Sequence, residues 1–459
     1  MGERAVSRTL HKIYSGPTWS ASDRSVGAGG IFSGGPLTWE TWSPATPLMT
    51  YDVIVVGAGP AGSTTARECA ERGLSVLLVE RAELPRDKPC GGGVTARAVS
   101  LLPFDISPVV ERVASVLHIT SPGSRPFAHH SPRELVYLTQ RRYLDTFLAE
   151  RAQEAGVRLL QRAIVRDVER HRTHVVVRAN DETFKGSTLV AADGANGRTA
   201  KLAGVDVGVS HYVAIEGNIT PDNGVPERWK NALGVDIGDV PGGYGWLFPK
   251  GDHLNVGVVG WRSAGPNLRD KLTHLVRFYG FDPTDLWGVR GHRLPLRLPG
   301  SPLEDGNVAL VGDAAGLIDP VSSEGIHSAI WSGRSAAQHL AAYVGGEARD
   351  LSGYSQEVQC RLVPELRVAR QIHDVLYLWP GLFLAIGRRT SIFYRAASRL
   401  VRGDLTYVGA SRKAGPVWPV VELVSGLLGV APPFLRISGR GNRGDRRAPS
   451  HGRSRRFDL

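Results

Sequence analysis

Three glycines, Gly57, Gly59 and Gly62, and one acid, Glu80, carry the clearest chemical signal in the chain. They follow Tyr51-Asp52-Val53-Ile54-Val55-Val56, whose β-branched run reads as a buried parallel strand, and they precede an alanine-rich segment with helical spacing, Ser63 to Arg72. Gly57 permits a sharp turn out of the strand, Gly59 leaves room for a pyrophosphate against the backbone, and Gly62 lets helix and strand pack closely. The helix start at Pro60 and Ala61 then faces that diphosphate with the positive end of its dipole. Glu80, closing the second apolar run Leu74 to Val79 and followed by Arg81, sits where a carboxylate accepts hydrogen bonds from a ribose 2′-hydroxyl and repels a 2′-phosphate. The unit reads as a dinucleotide site that disfavours NADP.

Three further stretches suit a flat, polar-edged ligand. Cys90-Gly91-Gly92-Gly93 sets consecutive glycines beside a cysteine, as backbone approaching a ring closely would need, and equally as a flexible loop would. Thr188 to Ala192 is a strand that ends in Asp193-Gly194. Gly306 to Val311 is another, delivering Gly312-Asp313 to its tip before a small-residue helix starts near Gly325 and Ile326. A carboxylate at a strand tip suits sugar-alcohol hydroxyls or caps a helix, and a helix N-terminus suits an electron-rich carbonyl edge. Between these blocks, Tyr244, Trp246 and Phe248 alternate along one strand-like segment, as an apolar pocket wall or as ordinary core.

In this order the blocks resemble the para-hydroxybenzoate hydroxylase-type flavoproteins, over residues 51 to about 345. Within them, Pro85-Arg86-Asp87-Lys88-Pro89-Cys90-Gly91-Gly92-Gly93 and Tyr244-Gly245-Trp246-Leu247-Phe248-Pro249-Lys250, with Asn255-Val256-Gly257, are similar to the geranylgeranyl reductase family. Its members saturate isoprenoid double bonds on chlorophyll precursors, archaeal lipids or quinones such as menaquinone. The resemblance implies an α/β fold: a Rossmann-like FAD-binding domain interleaved with a mixed, largely antiparallel β-sheet substrate domain, plus a helical C-terminal region. FAD-binding segments would span 49–118, 137–208 and 291–345; substrate-domain strands 119–136; a catalytic β-domain 209–290; and C-terminal helices 346–435.

The resemblance also implies roles. Gly57, Gly59, Pro60, Ala61 and Gly62 would hold the FAD pyrophosphate, Glu80 with Arg81 the adenosine ribose, and Arg141, opening an Arg-x-x-Leu-Asp pattern that ends at Asp145, the phosphate region. Asp193 would serve the cofactor side and a passing reductant. Gly312 and Asp313 would meet ribityl or pyrophosphate-side groups, the Gly325 and Ile326 amides the flavin N1 and O2 edge, and Cys90, Gly91, Gly92 and Gly93 the isoalloxazine ring. Cys90, Tyr244 and Trp246 are the candidate catalytic residues, Cys90 tuning the flavin or supplying a proton unless it is simply a small buried hydrophobe. Only one dinucleotide fingerprint follows a strand, so FAD would be reduced by transient NAD(P)H docking or by a protein electron donor. The partner is an apolar isoprenoid substrate. Two rivals remain at this level: a monooxygenase or halogenase acting on an aromatic or polyketide substrate, and a non-catalytic flavin-binding protein.

Composition narrows the classes. The 459 residues are 42% hydrophobic and 22% charged, ordinary for a soluble protein long enough for two cores. Cys69, Cys90 and Cys360 are too few and too scattered for a disulfide framework or zinc cluster, so a reducing compartment and no metal are expected. The net charge of +11 owes much to eight arginines against Asp445 and Asp458 beyond residue 435, leaving no broad basic face for nucleic acid. That 436–459 tail reads as a disordered solvated end, or as one drawn to anionic headgroups. Residues 1–48 read as a disordered extension without a secretory pattern, or Met49 as the true start. No apolar run reaches the roughly 20 residues of a spanning helix. Val375 to Ile386 and Val417 to Val430 read as core helices, or as a face dipping into a membrane. The expected location is cytoplasmic, with peripheral contact at the inner membrane surface as the variant.

Overall fold

The computed structural model describes residues 49–122 and 126–430; the expectations for the N-terminal extension and the basic tail lie outside these. Strand Met49–Val56 lies inside an eight-stranded sheet, parallel on one side to Val76–Val79 and on the other to Glu182–Ala191. Val53, Ile54 and Val55 are fully buried, which is why the run is continuous rather than alternating: both faces of a parallel sheet are covered. Val308–Leu310 extends the sheet beyond Glu182–Ala191, and Arg158–Leu160 extends it beyond Val76–Val79. The tips that carry Gly57, Glu80, Asp193 and Gly312 thus share one sheet end.

Helices Pro60–Ala70, Ile326–Val344 and Arg141–Glu154 pack together against this sheet. Val165–Arg170, Val175–Ala179 and the first half of Glu182–Ala191 form an antiparallel meander. Arg158–Leu160 does not join that meander but pairs at the parallel edge. Helix Arg141–Glu154 has already returned the chain to that edge, and a strand emerging from such a crossover adds in parallel.

The second sheet has seven strands, in the order Trp287–Arg297, Val209–Ile219, Leu254–Trp261, Tyr244–Pro249, Ala232–Ile237, Val116–Thr120, Phe127–His130. Every pairing is antiparallel except that of Ala232–Ile237 with Val116–Thr120. Period-two alternation divides its faces. A side chain at Gly245 would strike Leu275 of helix Leu268–Phe278, so that face is core, and Tyr244, Trp246 and Phe248 point the other way, toward Ser322 and the Cys90 to Gly93 loop. A three-stranded sheet, Gly93–Thr95, Arg112–Ala114 and Val136–Leu138, forms a separate unit. The helix that follows Gly93–Thr95 is a single turn, Ala96–Val99. Six helices between Ser352 and Val430 complete the described chain.

Candidate cofactor site and active site

The turn after Met49–Val56 closes only with glycine. Gly57 has φ +107°, and a Cβ on Gly62 would stand 1.9 Å from the Gly57 carbonyl oxygen. Helix Pro60–Ala70 starts there without a side-chain cap, leaving its first-turn amides open to a ligand. Two guanidinium groups reach the same spot: a Cβ on Gly59 would lie 3.6 Å from Arg141 Nη2 and 4.0 Å from Arg86 Nη2. Asp145, fully buried, sets both planes, accepting from Arg141 Nε and Nη2 at 2.7 and 2.8 Å and from Arg86 Nη1 at 2.9 Å. Glu80 Oε2 accepts from the Ala58 amide at 2.9 Å and from Arg86 at 3.3 Å, while Oε1 accepts from the Ala82 amide at 3.1 Å and retains capacity for a hydroxyl donor. Unscreened amides, a helix dipole and two fixed cations around a cradle that a Cβ would fill fit a dinucleotide diphosphate. Arg81 is exposed, and it is Arg86 that the fold turns inward.

At the tip of Val308–Leu310, Asp313 lies 3.7 Å from Lys88 Nζ, and helix Ile326–Val344 begins at Gly325 with no side-chain cap. Asp313 and the Gly325–Ile326 amides therefore adjoin one space, with Lys88 across it. His292, from strand Trp287–Arg297, also faces this group; burial, then the Lys88 charge, push its pKa down to about 4, so it is neutral. Asp193 stands beside Gly57, and its Oδ2 accepts from the Arg198 and Thr199 amides at 2.7 and 2.9 Å and from Thr199 Oγ1 at 2.7 Å, closing the turn before a short helix. Those amides would otherwise lack partners.

The Cys90 to Gly93 loop is not free. A Cβ on Gly92, at φ +62°, would sit 1.9 Å from the Thr139 carbonyl oxygen, and one on Gly91 2.9 Å from the Phe248 ring. The second sheet grips the loop by its backbone: the Cys90 amide donates to Glu216 Oε1 at 2.7 Å, and Lys250 Nζ donates to the Gly91 and Thr139 carbonyls at 2.6 and 2.9 Å. Burial raises the Glu216 pKa to about 7 and lowers that of Lys250 to about 8. Cys90 is a free, half-buried thiol whose sulfur accepts from the Gly92 amide at 3.4 Å. A cleft of about 170 Å³ opens beside the loop, lined among others by Lys88, Cys90, Arg141, Glu216, Lys250 and Arg290.

Tyr244, Trp246 and Phe248 form a row with ring centroids 6.2 and 6.4 Å apart. Trp246 lies over Gly257, where any Cβ would come within 2.1 Å of the indole, and its Nε1 donates to Asn255 Oδ1 at 2.8 Å; this gives the Asn255-Val256-Gly257 segment its physical reason. Tyr244 donates its hydroxyl to the Ser322 carbonyl, just before the helix that starts at Gly325. Behind the row, Tyr212 hydrogen-bonds His373 Nε2 at 2.9 Å, and Tyr377 packs on the same imidazole. The arrangement offers an apolar wall, a loop of fixed amides and carbonyls, and side chains that exchange protons near neutrality.

Sequence reasoning assigned no role to Arg86, Lys88, Glu216, Lys250 or His373. Arg86 and Lys88 had a usable signal, since both lie in the segment just before Cys90. Glu216 and His373 had none, each reaching the site from a strand or helix without a motif.

Residues 50–237 match the FAD binding domain family. A geranylgeranyl diphosphate reductase of Rhodobacter capsulatus is 34% identical over 316 residues, covering 66% of this chain and 78% of that one. A menaquinone reductase of Mycolicibacterium smegmatis is 29% identical over 415 residues, covering 83% and 98%. Among solved structures, a geranylgeranyl bacteriochlorophyll reductase-like protein of Thermoplasma acidophilum aligns with a TM-score of 0.64 at 25% identity, over 72% of this chain and 88% of that one. With this α/β architecture and these relatives, the chain belongs to the geranylgeranyl reductase family of FAD-dependent oxidoreductases.

Proposed function

We propose that the protein saturates C=C bonds of a polyprenyl chain, on a geranylgeranyl-type lipid or an isoprenoid quinone. The observation that carries this reading is the direct packing of Trp246 and Phe248 against the Cys90 to Gly93 loop, with Tyr244 continuing the row, an aromatic wall beside the position expected for a cofactor ring. Unactivated alkenes carry no polar handle, so an apolar wall and shape must orient them. The names of the Rhodobacter and Mycolicibacterium relatives, a geranylgeranyl diphosphate reductase and a menaquinone reductase, support the same substrate class.

Bound, reduced FAD supplies hydride chemistry at the ring. The chain does the rest. Gly57, Gly59, Pro60, Ala61 and Gly62, with Arg86 and Arg141, hold the diphosphate; Glu80 takes the ribose; Gly312, Asp313, Gly325 and Ile326 border the ring's polar edge. Tyr244 and Trp246 orient the alkene and exclude water. Cys90 Sγ holds the proton destined for the neighbouring carbon. Glu216 and Lys250 are positioning residues: they touch the loop backbone and fix where Cys90 stands. The reductant is NAD(P)H docking transiently or an electron-donor protein.

The test is anaerobic. FAD-loaded protein, reduced with dithionite, is mixed with geranylgeranyl diphosphate or a menaquinone while the flavin spectrum is followed. Reoxidation by the isoprenoid without oxygen is expected. Reoxidation only on admitting oxygen, with an oxygenated or halogenated aromatic product, would instead make the protein a monooxygenase or halogenase.

A further inference from the structure

The C-terminal helices leave an apolar face uncovered. Helix Trp418–Val430 lies along helix Val363–Leu378. Trp418 packs with Val368 and Ala369, and seven residues later Ser425 Oγ donates to Asp374 Oδ2 at 2.9 Å, so the two helices run in the same direction. Both therefore end at one level, where Trp379 turns the chain into helix Pro380–Arg389. Large apolar side chains are exposed on both helices: Leu382 is 56% exposed, Leu423 64% and Leu427 65%, with Leu378, Trp379 and Ile386 also exposed. Leu423 and Leu427 are four apart, as are Leu382 and Ile386, so each helix shows a stripe rather than scattered residues. Exposed apolar stripes of this kind mark an interaction surface.

Charge identifies the partner. Between Asp374 and Asp404 the chain has five arginines and no acidic residue; Arg402 is nearly buried and paired with Asp404 and Ser131, and Arg388, Arg389, Arg395 and Arg399 are exposed. Arg412 and Lys413 follow, and the one acid of the last helix, Glu422, accepts from Trp418 Nε1 at 3.0 Å. Beyond Val430, where this face ends, the sequence continues with eight more arginines. A second copy seated symmetrically on the face would bring arginines against arginines. A lipid surface offers phosphates to the arginines and acyl chains to the leucines. No described helix is long and apolar enough to cross a membrane, so the contact is peripheral.

We infer that helices Pro380–Arg389 and Trp418–Val430 dock on an anionic bilayer surface, sinking Leu382, Ile386, Leu423 and Leu427 below headgroups that the arginines engage. The inference rests on the proposed substrate only for its rationale, that a polyprenyl chain dissolved in lipid must reach the cleft. Docking is therefore measured without substrate, and its outcome stands apart from that of the activity assay.

The experiment is vesicle flotation of the full, FAD-loaded chain with phosphatidylcholine vesicles, with or without phosphatidylglycerol. Wild type is expected to float with anionic vesicles at least about tenfold better than with neutral ones, the preference shrinking in high salt. The L382D/L423D double variant is expected to lose at least about tenfold of that binding while keeping its flavin absorbance and its activity on detergent-dispersed substrate. Three results overturn the proposal: equal flotation on neutral and anionic vesicles, unchanged flotation of the double variant, which would assign binding to the arginine-rich tail alone, and a wild-type dimer that the double variant dissociates.

Discussion

The diphosphate cradle and the ring-side loop meet the same need by opposite electrostatics. Both bring glycine backbone within contact of another strand's carbonyl oxygen. In the cradle, however, every buried charge has a partner: Asp145 serves Arg141 and Arg86, and Glu80 serves Arg86 and two amides. At the loop, Glu216 and Lys250 are held mostly by neutral backbone groups, and their pKa values move toward each other, to about 7 and about 8. The charges that change near neutral pH thus lie at the loop.

Gly62→Val should give the largest effect. Its first carbon already overlaps the Gly57 carbonyl, so the cradle cannot close, and purified protein is expected to be colourless with at least about a hundredfold loss of FAD affinity by fluorescence titration. Retention of tight FAD binding would show that the cradle is not the anchor. Next comes Asp145→Asn, which strips buried Arg141 of its counter-charge and leaves Arg86 only Glu80; breaking a buried pair costs about 3–5 kcal/mol, read as a fall in the urea midpoint together with weakened FAD binding. An unchanged midpoint would deny the contrast between the two ends.

Glu216→Gln probes the loop. The folded pKa of Glu216 is raised above its ordinary value of 4.5 to about 7, so its contribution to stability is full below about pH 4.5 and lost as pH rises to 7. The glutamine variant should therefore be more stable than wild type at pH 7.5, by at most about 3 kcal/mol, and no more stable near pH 4. Turnover should move the other way. The charged carboxylate that grips the Cys90 amide forms as pH rises through about 7, and the Lys250 ammonium that grips Gly91 is lost above about 8, so wild-type activity should peak between them and the variant should lose the acidic limb. A bell-shaped profile unaltered in the variant would remove Glu216 from the loop's control. The smallest effect is expected from Arg81→Ala: the side chain is exposed, and FAD affinity should change by less than about twofold.

The same contrast explains what could be read from the chain. The cradle is encoded locally, by strand, glycines and helix within a short span, so Gly57 to Gly62 and Glu80 were legible from spacing alone. The aromatic row was legible as well, because alternation in a strand places Tyr244, Trp246 and Phe248 on one face. The loop's supports were not. Glu216 lies 126 residues from Cys90 and Lys250 159 from Gly91, and nothing in an alternating strand says which polar side chain will meet which loop. Arg86 was passed over for Arg81 because only the path of the chain after Glu80 decides which arginine turns inward.

The central claim is that this site reduces isoprenoid double bonds. Mass spectrometry of geranylgeranyl diphosphate or menaquinone, incubated without oxygen with chemically reduced, FAD-loaded protein, tests it most directly. The account predicts geranylgeranyl diphosphate, or menaquinone returned by air to its quinone form after the reaction, heavier by pairs of hydrogens, in step with flavin oxidised and absent with Gly62→Val. An isoprenoid recovered at unchanged mass from both substrates, while FAD binds and is reduced normally, would contradict it.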